Sequence, residues 1–100
     1  MVNDMKLKYV TDIRTNFESA DFWLQRKGGD GTLGKPVKEF TKENIGVKVT
    51  HHEKVVPEFL FYLMEYVFNT GYWRKYAIGS TNLKNLRVED VKNLELDDKQ

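Results

Sequence analysis

The strongest structural signal in the sequence is an apolar segment with helical periodicity that begins near Pro57. Proline suits the first turn of a helix because its missing N–H would have no partner there, and Glu58 adds negative charge near the positive end of the helix dipole. Polar side chains recur at spacings of four, three and four residues, which leaves a wide apolar surface. We therefore predict a helix over residues 57–69. Its apolar surface comprises Phe59, Leu60, Leu63, Met64, Val67 and Phe68, beside a polar stripe of Glu58, Tyr62, Glu65 and Asn69.

A glycine-rich turn follows an aromatic, strand-prone segment in the first half of the chain. Residues 20–27 (ADFWLQRK) favour a strand, and the glycines within residues 28–31 accept positive φ at no steric cost. Residues 32–40 can return as a second strand. Pro36 restricts that strand to an edge or a bulge, because proline has no N–H to donate to its neighbour. The sequence therefore predicts a hairpin here.

The remaining segments complete an α+β fold. Residues 45–50 (IGVKVT) alternate apolar and polar side chains, which is typical of a half-buried strand. We expect a small, mainly antiparallel sheet packed on the main helix and on a short second helix at about residues 72–77. Further predictions are a strand over 5–10, an ambiguous polar segment over 11–19, an extended piece from Leu83 to Val88, a helical turn over 88–93 and a last strand over 94–96.

Length and composition indicate one small domain over residues 1–100, with a frayed tail at 97–100. The 40% hydrophobic and 31% charged fractions are typical of a globular chain. The absence of cysteine excludes disulfides and thiol catalysis. The amino terminus lacks the apolar run of a signal peptide, and the longest apolar stretch, residues 59–64, is too short to span a bilayer. We therefore expect a cytoplasmic protein without a membrane partner.

Catalytic and metal-binding patterns are incomplete in this sequence. Residues 29–35 match most of a phosphate-loop pattern, but Pro36 stands where that pattern needs a hydroxyl, and strand-like sequence follows where it needs a helix. His51 and His52 are adjacent, so in a strand they would point to opposite faces. The serines lack the context of a nucleophile. We therefore predict no catalytic residue, no metal site and no cofactor, and we do not expect an enzyme.

Two segments combine cationic and aromatic side chains. The net charge of +1 argues only weakly for a nucleic-acid partner, so the distribution of charge matters more than its total. Arg and Gln can pair with base edges, whereas Lys and hydroxyl groups mainly hold phosphates. The first cluster comprises Trp23, Gln25, Arg26 and Lys27, with Lys35 and Lys38 across the hairpin, and the second comprises Trp73, Arg74, Lys75 and Tyr76, followed by Gly79, Ser80, Thr81, Asn82 and Lys84.

From Ala20 onward, the order of segments resembles the later part of a target-recognition domain, as found in the specificity subunits of type I restriction–modification enzymes. The resemblance covers residues 20–96, about three-quarters of the chain. It rests on the order of ADFWLQRKGGDGTLGKP, IGVKV, VVPEFLFYLMEYVF, AIGSTNLKNL and VEDVKNLEL.

This resemblance implies a compact module with a curved sheet, whose loops meet duplex DNA. By position, the DNA-facing segments would be residues 26–35 and 74–84. Specificity subunits hold methyltransferase subunits through long helices that this sequence lacks, so duplex DNA is the first expected partner and a methyltransferase-type protein the second. The candidate DNA-binding residues are Gln25, Arg26, Lys27, Lys35, Lys38, Arg74, Lys75, Ser80, Thr81 and Lys84.

Two alternatives belong to other functional classes. The wide apolar surface of the helix can form a homo-oligomer in an assembly module. A small domain that binds RNA or single strands would instead use Trp23, Trp73 and Tyr76 as stacking platforms for bases.

Overall fold

The computed structural model describes residues 5–79 and 84–96 of the chain. Within those ranges, no helix has the length and apolar character needed to cross a bilayer. The strands are β1 (Met5–Lys6), β2 (Thr11–Thr15), β3 (Phe22–Leu24), β4 (Lys27–Gly28), β5 (Pro36–Val37), β6 (Ile45–Val49), β7 (Ile78–Gly79), β8 (Lys84–Asn85) and β9 (Glu95–Leu96). The helices are α1 (Pro57–Asn69) and α2 (Val88–Lys92), with 3₁₀ helices at Leu7–Tyr9 and Tyr72–Tyr76.

The main sheet has four antiparallel strands in the order β2–β6–β3–β5. β6 lies inside it, because β6 pairs with β2 along its whole length and with β3 on its other side. Ile45, Val47 and Val49 are buried in the core while Lys48 is exposed. The alternation in the sequence of this strand therefore places its apolar side chains in the core, as predicted.

Helix α1 joins the core through Leu60 and Met64, whose exposed fractions are both 0%. The Phe61 ring on the same helix meets the Phe22 ring of β3 edge to face, with centroids 5.5 Å apart. Burying one large apolar side chain contributes about 1.5–3 kcal/mol, so these contacts hold the helix on the sheet. The buried core comprises Leu7, Val10, Ile13, Phe22, Leu24, Leu33, Ile45, Val47, Val49, Leu60, Met64, Trp73, Leu86, Val91 and Leu94.

Two smaller sheets join segments that are far apart in the sequence. β1 pairs with β9, with Met5 opposite Leu96. β8 pairs on one side with β4 and on the other with β7, giving a three-stranded antiparallel sheet. Helix α2 packs beside β2 and the first 3₁₀ helix, and its Val91 is buried in the core.

The predicted fold class and main helix are confirmed. The fold is α+β, with antiparallel sheets, one main helix over Pro57–Asn69 and a short helix at Tyr72–Tyr76. The short helix is a 3₁₀ helix, preceded by Gly71 in the left-handed conformation. The predicted helical turn near residue 88 is α2, and the predicted last strand is β9.

The strand predicted at the amino terminus is too long. The prediction of a strand over residues 5–10 is wrong beyond Lys6, because Leu7 and Val10 both turn into the core and the Thr11 hydroxyl donates to the Leu7 carbonyl at 2.6 Å. The ambiguous segment that follows contains β2. Burial of side chains spaced by three residues favours a helical turn over an extended strand.

The return strand of the predicted hairpin is also shorter than expected. Within residues 32–40, only Pro36–Val37 pairs with β3, with Trp23 opposite Val37. Residues 30–34 instead form a turn that buries Leu33. The expected residue Leu83 and the expected frayed tail at 97–100 lie outside the described residues.

Candidate functional site

The three-stranded sheet brings the two basic-aromatic segments together. Gly28 of β4 and Gly79 of β7 both lie opposite Lys84 of β8. The Leu86 N–H also donates to the Arg26 carbonyl at 2.8 Å. We call the region formed by β4, the turn of residues 29–35, the 3₁₀ helix Tyr72–Tyr76, β7 and β8 the glycine-turn junction.

A close approach between Gly34 and Trp73 holds the two halves of the junction. Gly34 has a φ of +85°, and a Cβ there would lie 2.2 Å from the Trp73 Cδ1 atom. The Trp73 side chain is only 2% exposed. The turn therefore needs glycine for its backbone conformation and for the space that the indole occupies.

An ion pair links the turn to β8. The Lys84 ammonium donates to the Asp30 carboxylate at 2.9 Å. This hydrogen bond holds the pKa of the Asp30 carboxyl below its ordinary value, and the nearby positive charge of Arg74 adds to the effect. Arg74 and Lys84, from different elements, thus share one electrostatic neighbourhood around Asp30.

The cations of the junction do not all lie on one face of its sheet. Residues directly opposite each other in a sheet share a face. Lys27 lies opposite Asn85, which lies opposite Ile78, and all three are exposed. Lys84 is next to Asn85 in β8, so its side chain leaves the opposite face. Lys27 is 3.9 Å from the Glu43 carboxylate, an exposed and weak pair.

The side chains of Gln25 and Arg26 are half-buried, whereas side chains that contact base edges need to be exposed. The Gln25 N–H donates to the Lys35 carbonyl at 3.0 Å, and its carbonyl accepts from the Gly34 N–H at 2.8 Å. The Arg26 side chain is half-buried, and its Nε is buried without a hydrogen-bond partner among residues 5–79 and 84–96. Gln25 therefore closes the base of the turn through its backbone groups, whereas the Arg26 carbonyl accepts from the Leu86 N–H next to β8.

The other predicted site residues lie in different parts of the structure. Lys35 and Arg74 are exposed at the junction. The Lys75 ammonium lies 4.9 Å from the centre of the Tyr72 ring. The Lys38 ammonium lies 4.5 Å from the centre of the Phe61 ring, so Lys38 contacts α1. The predicted residues Ser80 and Thr81 lie outside the described residues.

The RNA- or single-strand-binding alternative requires exposed tryptophan rings as stacking platforms, and both tryptophans are buried. Trp23 is buried, and its indole N–H donates to the Phe17 carbonyl at 2.8 Å. Trp73 is buried against Gly34. Tyr76 is half-buried, with its hydroxyl 3.3 Å from that of Tyr72. A base cannot stack on a ring that the core already covers.

The phosphate-loop and metal patterns have ordinary structural roles. Residues 29–35 are followed by the short strand β5, whereas a phosphate loop is followed by a helix. His51 and His52 are exposed in the loop before α1, and the His51 Nδ1 atom is 2.9 Å from the Thr50 hydroxyl. In the described parts of the chain, no group of three His, Asp or Glu side chains is arranged to hold a metal ion.

Asp30 is the residue of the site that sequence reasoning missed. The sequence patterns of cations and aromatics do not point to it, whereas in the structure its carboxylate accepts from Lys84 and is influenced by the charge of Arg74. Its position offered a signal, because Asp30 stands between Gly29 and Gly31 at the centre of the glycine-rich turn.

Comparison with solved structures gives a clear neighbour. The fold matches a crystal structure of the S subunit of a type I restriction–modification system from M. genitalium, with probability 1.00 and a TM-score of 0.66. The chain is similar in fold to that S subunit. The match covers 94% of this chain and 34% of the S subunit, at 14% sequence identity. No protein-family model and no curated protein matches the sequence.

Proposed function

We propose that this domain is a non-enzymatic DNA-recognition module that resembles a target-recognition domain of a type I specificity subunit. The observation that carries the proposal is the convergence of both basic segments at the glycine-turn junction, through the pairing of Lys84 with Gly28 and Gly79. The similarity in fold to a type I S subunit supports it. Because the chain spans about a third of that subunit, the proposal concerns DNA recognition and not the assembly of a whole enzyme.

The charges of the junction suit contact with a phosphate backbone. Lys35, Arg74 and Lys75 are exposed, and Lys84 is partly exposed. In a chain whose net charge is only +1, such a local group is the part of the surface that attracts duplex DNA. Arg74 is the candidate for a bidentate contact to guanine, whereas the lysines position the duplex by contacting phosphates.

The proposal is tested by measuring duplex binding over a range of salt concentrations. We expect affinity to fall as salt rises. Arg74→Ala with Lys75→Ala should lower the magnitude of the salt slope by about 1, the contribution of the phosphate contact of Lys75, and should also weaken binding because the guanine contact of Arg74 is lost. Both side chains are exposed, so the double variant should fold normally. Fluorescence anisotropy with a labelled duplex provides the measurement.

The matched control removes two exposed lysines outside the junction, Lys8 and Lys54. This double variant loses the same total charge, so it separates a local contact from a general electrostatic effect. Equal losses in the two double variants, or duplex binding without any salt dependence, would contradict the proposal.

A further inference from the structure

The outward side of α1 carries a row of exposed aromatic side chains. Phe59, Tyr62 and Tyr66 are 59%, 58% and 67% exposed, whereas Leu60 and Met64 on the inward side are 0% exposed. The three aromatics are three and four residues apart, so they lie along one side of the helix. Phe59, which the sequence places on the wide apolar surface of the helix, thus lies on the exposed side, and the helix has aromatic side chains on both sides.

The row continues beyond the amino-terminal end of the helix. Val56 is 50% exposed and precedes Pro57. A shallow, open concavity of about 410 Å³ lies there, lined by residues 52–56 and Phe59. Three of the six lining residues, His52, Glu53 and Lys54, are polar, so the exposed apolar surface consists of the aromatic row and Val56. Contiguous exposed apolar surfaces of a few hundred Å² commonly mark interaction sites.

The charged side chains that α1 itself places beside this row are acidic, whereas Lys54 lies in the loop before the helix. Glu58 and Glu65 are exposed and seven residues apart, on the edge of the row. Helix α1 contains no Lys or Arg. Carboxylates repel nucleic-acid phosphates and anionic lipid headgroups, so electrostatics disfavour both as occupants of this surface.

A second copy of the chain is also a poor occupant. In a two-fold contact the same patch lies on both subunits, so two acidic helices would face each other. A single helix of opposite charge avoids this repulsion, because its cations would face the carboxylates beside the row.

We propose that the outward face of α1 (Phe59, Tyr62 and Tyr66, with Glu58 and Glu65 beside them) docks a basic amphipathic helix of a partner protein. Apolar side chains of that helix, repeated every three or four residues, would cover the aromatic row. Lysine or arginine side chains one heptad apart would meet Glu58 and Glu65. Tyrosine suits such a surface because it is enriched in interfaces and tolerates solvent when unoccupied.

The test uses two synthetic helical peptides and the full-length protein. Each peptide is about 20 residues long, because shorter helices are marginal in water, and carries leucines at helical spacing. One peptide has lysines one heptad apart beside the leucines, and its twin has glutamates at the same places. We expect the lysine peptide to bind at least about tenfold more tightly at low salt, and the difference to shrink as salt rises.

Matched variants locate the binding surface. We expect Tyr66→Ser to weaken binding of the lysine peptide about tenfold, a typical loss for an interface tyrosine. Tyr9→Ser serves as the control because Tyr9 is 55% exposed but lies in the first 3₁₀ helix. Both tyrosines are exposed, so both variants should keep their fold, which circular dichroism checks.

Three results would overturn the proposal. These are equal or undetectable binding of the two peptides, equal losses in Tyr66→Ser and Tyr9→Ser, and a concentration-dependent dimer of the wild-type protein in sedimentation that Tyr66→Ser abolishes. The last result would assign the surface to a second copy. None of these results depends on DNA binding, so this proposal and the proposed function stand or fall separately.

Discussion

Asp30 and Lys84 are 54 residues apart in the chain, and their side chains meet at 2.9 Å at the edge of the junction. Such an exposed ion pair adds little to stability, because solvent screens it and two side chains lose freedom. Under the proposed function the pair would affect binding, because the carboxylate contacts the ammonium that a phosphate would otherwise contact. We therefore expect Asp30 to limit any attraction of the junction for DNA.

Replacing Asp30 with asparagine should strengthen duplex binding. The Asp30→Asn variant frees Lys84 and removes a negative charge beside Arg74, so we expect higher affinity and a steeper fall of affinity with salt. Salt-titrated anisotropy measures both quantities. Asp12→Asn, which removes an exposed carboxylate paired with Arg14 on β2, is the control, and an equal gain there would argue against a local effect.

The raised pKa of Tyr72 leads us to expect that the folded protein loses stability in strong alkali. Burial raises the pKa of the Tyr72 hydroxyl from 10.0 to about 12, and its hydrogen bond with Tyr76 adds to the shift. A pKa raised by folding stabilises the native state below the unfolded value and loses that contribution as pH rises from about 10 to about 12. We expect the free energy of unfolding to fall less steeply over that range in Tyr72→Phe than in the wild type.

Urea unfolding at a series of pH values tests this prediction. Tyr62→Phe, on the outward side of α1, provides the comparison because Tyr62 is 58% exposed. If the free energy of unfolding fell equally steeply with pH in Tyr72→Phe and in the wild type, Tyr72 would not be the cause of the alkaline loss of stability.

At the scale of the element, the glycine-turn junction requires the turn of residues 29–35 to pack directly against Trp73 of the 3₁₀ helix Tyr72–Tyr76. We expect Gly34→Ala to destabilise the protein by about 2–4 kcal/mol, because alanine is strained at positive φ and its Cβ would overlap the Trp73 indole. Gly31→Ala is the control, since no atom lies within 4 Å of a Cβ there. The difference in urea midpoint between the two variants measures the effect, and similar midpoints would show that Gly34 is not specifically required.

The two sides of α1 should respond differently to truncation. We expect Leu60→Ala to lower the free energy of unfolding by about 2–5 kcal/mol, since Leu60 is fully buried in the core. Phe59→Ala should change it by less than about 0.5 kcal/mol, because that side chain is mostly exposed. Chemical unfolding of both variants provides the measurement. A large loss in Phe59→Ala would mean that the ring contributes to the core.

For the whole molecule, the likeness to the S subunit lies in the fold and not in the sequence. A TM-score of 0.66 accompanies 14% identity with the S subunit, so the arrangement of the elements is shared although most side chains differ. Burial pattern and chain topology can persist through extensive substitution, provided that core volume and patterning are kept. The surface follows no such constraint, so a shared fold does not imply a shared surface chemistry.

Local signals in the sequence sufficed for several elements. Pro57 marks the start of α1, and the spacing of its apolar residues continues to Asn69. The alternation over Ile45–Val49 likewise identifies β6. These predictions hold because helix capping and hydrophobic periodicity act between residues that are neighbours in the chain.

The tertiary structure alone decided the features on which the proposed function rests. The pairing of Lys84 with Gly28, the approach of Gly34 to Trp73 and the pairing of Asp30 with Lys84 all join segments that are distant in sequence. Local propensity carries no information about such contacts. They are selected by the burial and strand pairing of the whole chain, which also determined that Phe59 is exposed on α1 while Leu60 is buried.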